Sequence, residues 1–347
     1  MSNEVDEIYT IEDLEAYGQR LHYSSVISLM INIFTGYIVL KYSNKAMGNY
    51  KYYLFCTVLT AGIMDFDATF IFGIYPTFPI AGFCGTGFVA KHLDYFWGEI
   101  IQYIILQELF SICGTSLVLC ILYRYFSLKG KIEFFHSIRG IIIMIIFAIF
   151  YPSSVTIVLF VTLDEREELL RYVKENAPNV YEIYKTFPSC NAFKIEKSAP
   201  FASLMVIHIA FLWLIGLTFV LKTIRELSLK RKSLSKSTYK MYKEFLYAII
   251  IQSLIPIIFI CFPVIVIATC FALKIHNTKG IVTIAMQGLF FHSSVNSLCI
   301  IATIKIYRET VQNLLLVPFP CFKSKNITTK VTHAASTTTR NGISVIS

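Results

Sequence analysis

The stretch Arg225–Pro263, R-E-L-S-L-K-R-K-S-L-S-K-S-T-Y-K-M-Y-K-E-F-L-Y-A-I-I-I-Q-S-L-I-P-I-I-F-I-C-F-P, sets a basic segment against a long apolar run. Lys230, Arg231, Lys232, Lys236, Lys240 and Lys243 follow one another with no carboxylate among them, and Glu244 comes next. Basic residues beside a spanning helix mark its cytoplasmic end, because the cytoplasmic leaflet is negative and cationic flanks resist export. Pro256 falls near the bilayer middle, lacks an N–H and clashes with the preceding turn, so a bend is expected there, with Pro263 one step further on. A basic loop joined to a hinged helix suits a protein that reports an outside event to a cytosolic partner. Prolines and basic loops also occur on many other membrane proteins, so this pair alone does not decide for signalling.

Working outward, the chain has 347 residues, 55% hydrophobic and only 15% charged. A soluble domain carries roughly a quarter charged residues. The composition is that of an integral membrane protein. The net charge of +9 follows the membrane topology and does not point to nucleic acid.

Seven apolar segments are predicted, at about 24–40, 52–75, 96–123, 140–161, 200–221, 245–273 and 281–304. Each is long enough to cross roughly 30 Å of hydrocarbon at about 1.5 Å per residue. With the N-terminus outside, the three inner loops hold three, four and eight Lys/Arg. The short outer loops hold one (Lys91) and two (Lys274, Lys279). The expected fold is therefore all-α, a seven-transmembrane helix bundle with an extracellular N-terminus and a cytoplasmic C-terminus. It comprises an acidic head (1–23), a membrane domain (24–306) and a polar, disordered cytoplasmic tail (307–347). The head lacks the basic start and apolar run of a cleaved signal peptide.

Ionisable groups at membrane depth are costly and count first as functional candidates. Asp65 and Asp67 lie in the second span and Glu108 in the third. Asp65 and Asp67 are roughly 200° apart on a helix, so at most one faces a common pocket. His208, Gln252, Gln287, His292 and Asn296 add polar groups to spans five, six and seven. Each candidate also has a plain structural reading, as a hydrogen bond to a neighbouring helix. Arg124, in L-Y-R-Y-F at the inner end of span three, contacts either the sixth helix or a cytosolic partner, or is one more positive-inside residue.

Nine cysteines are scattered without a C-x-x-C pair, so no zinc or redox motif is indicated. Cys84 and Cys190 both fall in outer loops, where oxidation is permitted. A bridge between them would pin the long outer loop over span three, and two free thiols are the alternative. Cys321, beside Lys323 and Lys325, is a palmitoylation candidate or simply a free cytosolic thiol. The sequon Asn326-Ile327-Thr328 lies on the cytoplasmic side and is expected to stay unmodified. There is no H-E-x-x-H, no G-x-S-x-G and no P-loop, so neither enzyme activity nor a cofactor or metal is expected.

Four passages resemble the nematode seven-helix chemoreceptors of the Str-type superfamily, nearest classes h and i. Met47-Gly48-Asn49-Tyr50-Lys51-Tyr52-Tyr53-Leu54 resembles the first inner loop. Asp65 followed by Pro76, Phe78-Pro79-Ile80 and Ala81-Gly82…Gly85-x-Gly87 resembles the second helix and its outer turn. Ser235-Lys236-x-Thr238…Gln252-x-x-x-Pro256 resembles the entry to helix six, and His292-Ser293…Asn296…Tyr307-Arg308 the end of helix seven. The chain departs from the family pattern at Ser293 and in the Tyr-Arg-Tyr that ends span three.

The resemblance implies a G-protein-coupled receptor on the cilia of chemosensory neurons, detecting a small environmental molecule such as an odorant. The residues that would then face a heterotrimeric G protein are Arg124, Lys230, Arg231, Lys232, Lys240, Lys243 and Arg308. The oligomeric state is not read from the sequence. A seven-helix ligand-gated channel or transporter using Asp65, Asp67 and Glu108 as an ion path is the alternative, though no internal repeat is present. A non-signalling membrane scaffold is a second.

Overall fold

The structure, a computed structural model, describes residues 9–44, 47–273, 275 and 278–316. Cys321 and the sequon at Asn326 lie outside the described residues. Helices are numbered α1 (Ile11–Tyr42), α2 (Tyr50–Phe66), α3 (Ile101–Lys129), α4 (Glu133–His136), α5 (Ile138–Phe150) and α6 (Ser153–Thr162). There follow α7 (Arg166–Asn176), α8 (Tyr181–Thr186), α9 (Ile195–Leu229), α10 (Lys236–Pro256), α11 (Phe262–Ala272), α12 (Lys279–Leu289), α13 (His292–Thr303) and α14 (Lys305–Leu316). The strands are β1 (Ile74–Thr77), β2 (Ala81–Gly85) and β3 (Cys190–Phe193).

Among the described residues, six spans are long and apolar enough to cross a membrane: α1, Tyr50–Ile71, Phe96–Lys129, Ile138–Thr162, Glu196–Lys232 and Lys236–Cys270. The pair α12 and α13, bent by 43°, makes the seventh. These are spans one to seven, and the fold is a seven-transmembrane helical bundle. Their outward faces are apolar. On span four, Ile142, Ile145, Ile146 and Ile149 are all exposed, a surface suited to lipid rather than water.

Local chemistry sets the helix ends. Thr10 and Asp13 form a reciprocal capping box that starts α1, thirteen residues before the expected first span. Ser137 caps α5 through Gly140 N–H, and Ser235 caps α10 through Thr238 N–H. Gly130, at φ +71°, ends α3 in the left-handed conformation that glycine adopts without strain. Spans five and six run through most of the basic stretch, so only the Ser233–Ser235 region separates them, not a loose stub.

Three features differ from expectation. Pro256 is accommodated by a π-helical turn, Ile257–Cys261, that carries span six onward. A sharp break that no proline signals lies in span seven, where the N–H groups of Phe290 and Phe291 reach only three residues back, to Gln287 and Gly288. The tail does not begin disordered at Tyr307. The chain remains helical through α14, and Tyr307 is fully buried, its hydroxyl 2.6 Å from Ser43 Oγ.

The third difference is a small sheet within an otherwise helical protein. The Tyr75–Gly87 turn folds as the hairpin β1–β2, to which β3 adds antiparallel. Cys84 and Cys190 stand opposite each other in the β2–β3 ladder and are joined by a disulfide. With α7 and α8 this sheet forms a lid over one end of the bundle. Its core holds Tyr9, Tyr17, Phe72, Tyr75, Leu169, Val173 and Tyr184. The Tyr184 hydroxyl donates to Asn191 O and accepts from Thr77, and a Cβ on Gly82 would lie 2.1 Å from it, so only glycine fits at 82. Arg166 locks the lid internally by donating to the carbonyls of Cys190 and Phe187, at 2.7 and 3.0 Å, and of Tyr184.

Candidate functional site

Between the lid and the basic end the bundle interior holds three linked features. The first is a polar core joining spans one, two and seven. His292 opens α13 just past the break, and its Nδ1–H donates to Asp65 at 3.1 Å. The Ser293 N–H, one of the free donors of that helix start, donates to the other Asp65 oxygen at 3.1 Å. From span one, Asn32 donates to Ser293 Oγ at 2.9 Å and accepts from Ser297 at 2.7 Å, while Ser294 donates to Ser28. The break in span seven thus aims a helix N-terminus at a buried carboxylate.

The second feature is a cavity of about 230 Å³ among spans two to seven. Its walls are chiefly apolar, with Phe110, Leu117, Leu212 and Trp213 among them. His208, Gln252 and His292 place polar groups on it, and Pro256, one turn from Gln252, completes the span-six wall. Gln252 is 1% exposed, and neither its Oε1 nor its Nε2 has a partner among the described residues. A buried amide without partners costs roughly 1–3 kcal/mol, so it stands ready for a ligand or water in the cavity. His208 Nε2 donates to the Tyr151 carbonyl at 2.9 Å, and the Tyr151 hydroxyl donates back to the His208 carbonyl at 3.0 Å. That fixes the ring and leaves Nδ1 without a partner among the described residues.

The third feature lies toward the basic end. Arg124 is 3% exposed, with its guanidinium carbon 4.2 Å from the ring centre of Tyr50, 4.8 Å from Tyr242 and 3.9 Å from Phe245. Tyr50 belongs to span two, and Tyr242 and Phe245 to span six. Arg124 therefore ties three spans together through ring faces, with its Nε and Nη2 making no hydrogen bond among the described residues. Of the roles weighed for Arg124, the structure places it inside against span six rather than on the surface, because three rings cover it.

The other candidates separate. Glu108 accepts from Thr156 of span four at 2.7 Å, Asp67 is buried in the π turn of span two, and Gln287 sits half-buried at the break of span seven. Asp65 points to span seven and Glu108 to span four, so the three carboxylates do not line one ion path. Lys230 folds back onto the Leu128 carbonyl at 2.6 Å. Arg231, Lys232, Lys240, Lys243 and Arg308 are exposed at the basic end. No metal-binding group of His, Cys, Asp or Glu occurs among the described residues.

Residues 15–311 match the family described as serpentine type 7TM GPCR chemoreceptor Sri. The chain belongs to this family. No curated protein matches it. For a serpentine chemoreceptor of the Sri type, the match takes in the lid, the cavity, the Asp65–His292 pair and the Arg124 cage. The family is one of multi-pass membrane receptors, not of enzymes, and the channel reading gains nothing from it.

Several residues of this serpentine receptor's interior escaped the sequence reading. Asn32, Ser28 and Ser297 carried no signal beyond ordinary polar residues in a span. Tyr242 and Phe245 share one helix face, but their partner lies on another helix. Glu99, 0% exposed at the lid end of span three, was hidden at the edge of an apolar run.

Proposed function

We propose that this protein is a chemosensory G-protein-coupled receptor of the plasma membrane, displayed on the sensory cilium, with its lid outside and its basic end in the cytoplasm. Within the Str-type superfamily it sits nearest classes h and i, on the strength of the four passages quoted above, from the first inner loop, helix two and its outer turn, helix six and helix seven. A small chemical ligand such as an odorant occupies the cavity. A heterotrimeric G protein meets the exposed cations Arg231, Lys232, Lys240, Lys243 and Arg308.

The observation that carries this reading is that span six serves both features. Gln252 and Pro256 wall the cavity, while Tyr242 and Phe245, two to three turns away, hold Arg124. A ligand that binds better when span six shifts favours release of the Arg124 cage and opening of the basic end. It does so only to the extent that its affinity differs between the two positions.

The test uses cells carrying an epitope at residue 2 and a G-protein dissociation sensor. Surface labelling without permeabilisation, with a compound-dependent sensor response, supports the reading. An epitope reached only after permeabilisation contradicts it.

A further inference from the structure

We propose that the ligand of the cavity is a neutral, membrane-partitioning molecule of about nine heavy atoms, carrying one group that both donates and accepts a hydrogen bond, and that it enters from the bilayer between spans five and six. This rests on the receptor reading above for its consequence, but not for the site itself.

Size and polarity come from the walls. A cavity of about 150 Å³ takes up benzene, so 230 Å³ accommodates about nine heavy atoms in proportion. Gln252 offers a donor and an acceptor side by side, both unpartnered among the described residues. A hydroxyl answers both, a hydrocarbon neither. No Lys or Arg lines the cavity, and its two histidines already donate to the Tyr151 carbonyl and to Asp65, so no cation there is left to pair with a carboxylate.

The route comes from what closes the other approaches. On the lid side, Phe83, Tyr103, Phe193 and Phe201 pack ring against ring, with centroids 5.0–6.3 Å apart. Tyr103 lies two turns lidward of Phe110 on span three, and Phe201 one turn lidward of Met205 on span five, so this stack covers the cavity along both helices. Span five packs on span three and α6 and meets span six along α10, whereas α11 packs on α12. The lidward half of span six thus packs toward span seven. At this seam, close to the end of α10, where the packing on span five is left behind, two cavity residues, Leu217 of span five and Leu254 of span six, are 49% and 48% exposed.

The test uses the full chain in lipid nanodiscs. The protein has two tryptophans, Trp97 and Trp213, so Trp97→Phe leaves the cavity residue Trp213 as sole fluorophore. 2-Cyclohexylethanol and n-propylcyclohexane, each of about nine heavy atoms, are compared at equal concentration in the lipid. The alcohol is expected to change Trp213 emission saturably. The hydrocarbon, and the alcohol with Gln252→Leu, are expected to bind about tenfold more weakly or without saturation. Stopped-flow uptake is expected to slow in Leu254→Phe or Leu217→Phe, which narrow the seam, and to hold in Phe193→Ala, which opens the lid-side stack. Equal saturable binding of the hydrocarbon, or undiminished binding in Gln252→Leu, overturns the ligand class. Uptake that quickens in Phe193→Ala and ignores the seam variants overturns the route. If a charged, bilayer-impermeant compound drives the G-protein sensor while the alcohol leaves Trp213 unchanged, this inference fails and the receptor reading stands. If the alcohol saturates through Gln252 while the sensor stays silent to every compound, the site stands and the receptor reading fails.

Discussion

The Nδ1 of His292 lies 3.1 Å from a carboxylate oxygen of Asp65, and both side chains are sealed from solvent between spans two and seven. With the Ser293 N–H on the other oxygen, the pair fixes where α13 starts after the 43° break. Removing one member of such a buried pair strands the other. His292→Ala is expected to cost about 3–5 kcal/mol, and Asp65→Asn, which keeps an acceptor for Ser293, distinctly less. Thermal unfolding of the purified variants in detergent, read on both, checks the order.

Arg124 held by Tyr50, Tyr242 and Phe245 makes a second prediction. A desolvated cation–π contact is worth about 2 kcal/mol, equivalent to roughly 30-fold in a two-state equilibrium. Phe245→Ala is therefore expected to raise ligand-free sensor output, while Phe245→Tyr leaves it near wild type. Unchanged output in Phe245→Ala, at matched surface level, would show that the cage does not restrain span six.

The lid depends on contacts that tolerate no added atoms. Gly82→Ala drives a methyl into the Tyr184 hydroxyl, and Arg166→Ala leaves the carbonyls of Tyr184, Phe187 and Cys190 without their donor. Each is expected to reduce protease resistance of the lid and folded yield. Hydrogen exchange confined to α7, α8 and β3 would locate the damage.

Acid should loosen the same lid at its junction with span five. Burial pushes the Asp164 carboxyl up, but Lys197 and Lys194 outweigh it through hydrogen bonds and charge, and hold it below the ordinary value of 3.8. A carboxyl depressed in the folded state contributes stability that is complete above its ordinary value and lost as pH falls through the depressed one. Stability carried by Asp164 should thus be constant from neutral pH to about 4 and fall below that. Asp164→Asn is expected to flatten that limb of the pH profile.

What the sequence disclosed follows from range. Seven apolar runs and the Lys/Arg that flank them are local signals, so the bundle was legible. Gln252 was legible as a polar residue at membrane depth and Pro256 as a proline inside an apolar run, each a local signal, though not the cavity they share. The partner of Asp65, the rings around Arg124 and the strand pairing of Cys84 with Cys190 are contacts between distant segments, which no local pattern encodes. At Pro256 the helix passes into a π turn, a change of winding that a proline signals only by position. The break fell at Gly288–Phe291, where no proline announces it.

The most direct test of the account compares wild type and Gln252→Leu in the G-protein dissociation assay, at equal surface labelling, over one panel of volatile and water-soluble compounds. The account predicts at least one compound whose response is lost or shifted by about tenfold or more in the variant. Responses of full size and potency in Gln252→Leu for every active compound would place the ligand elsewhere and contradict it.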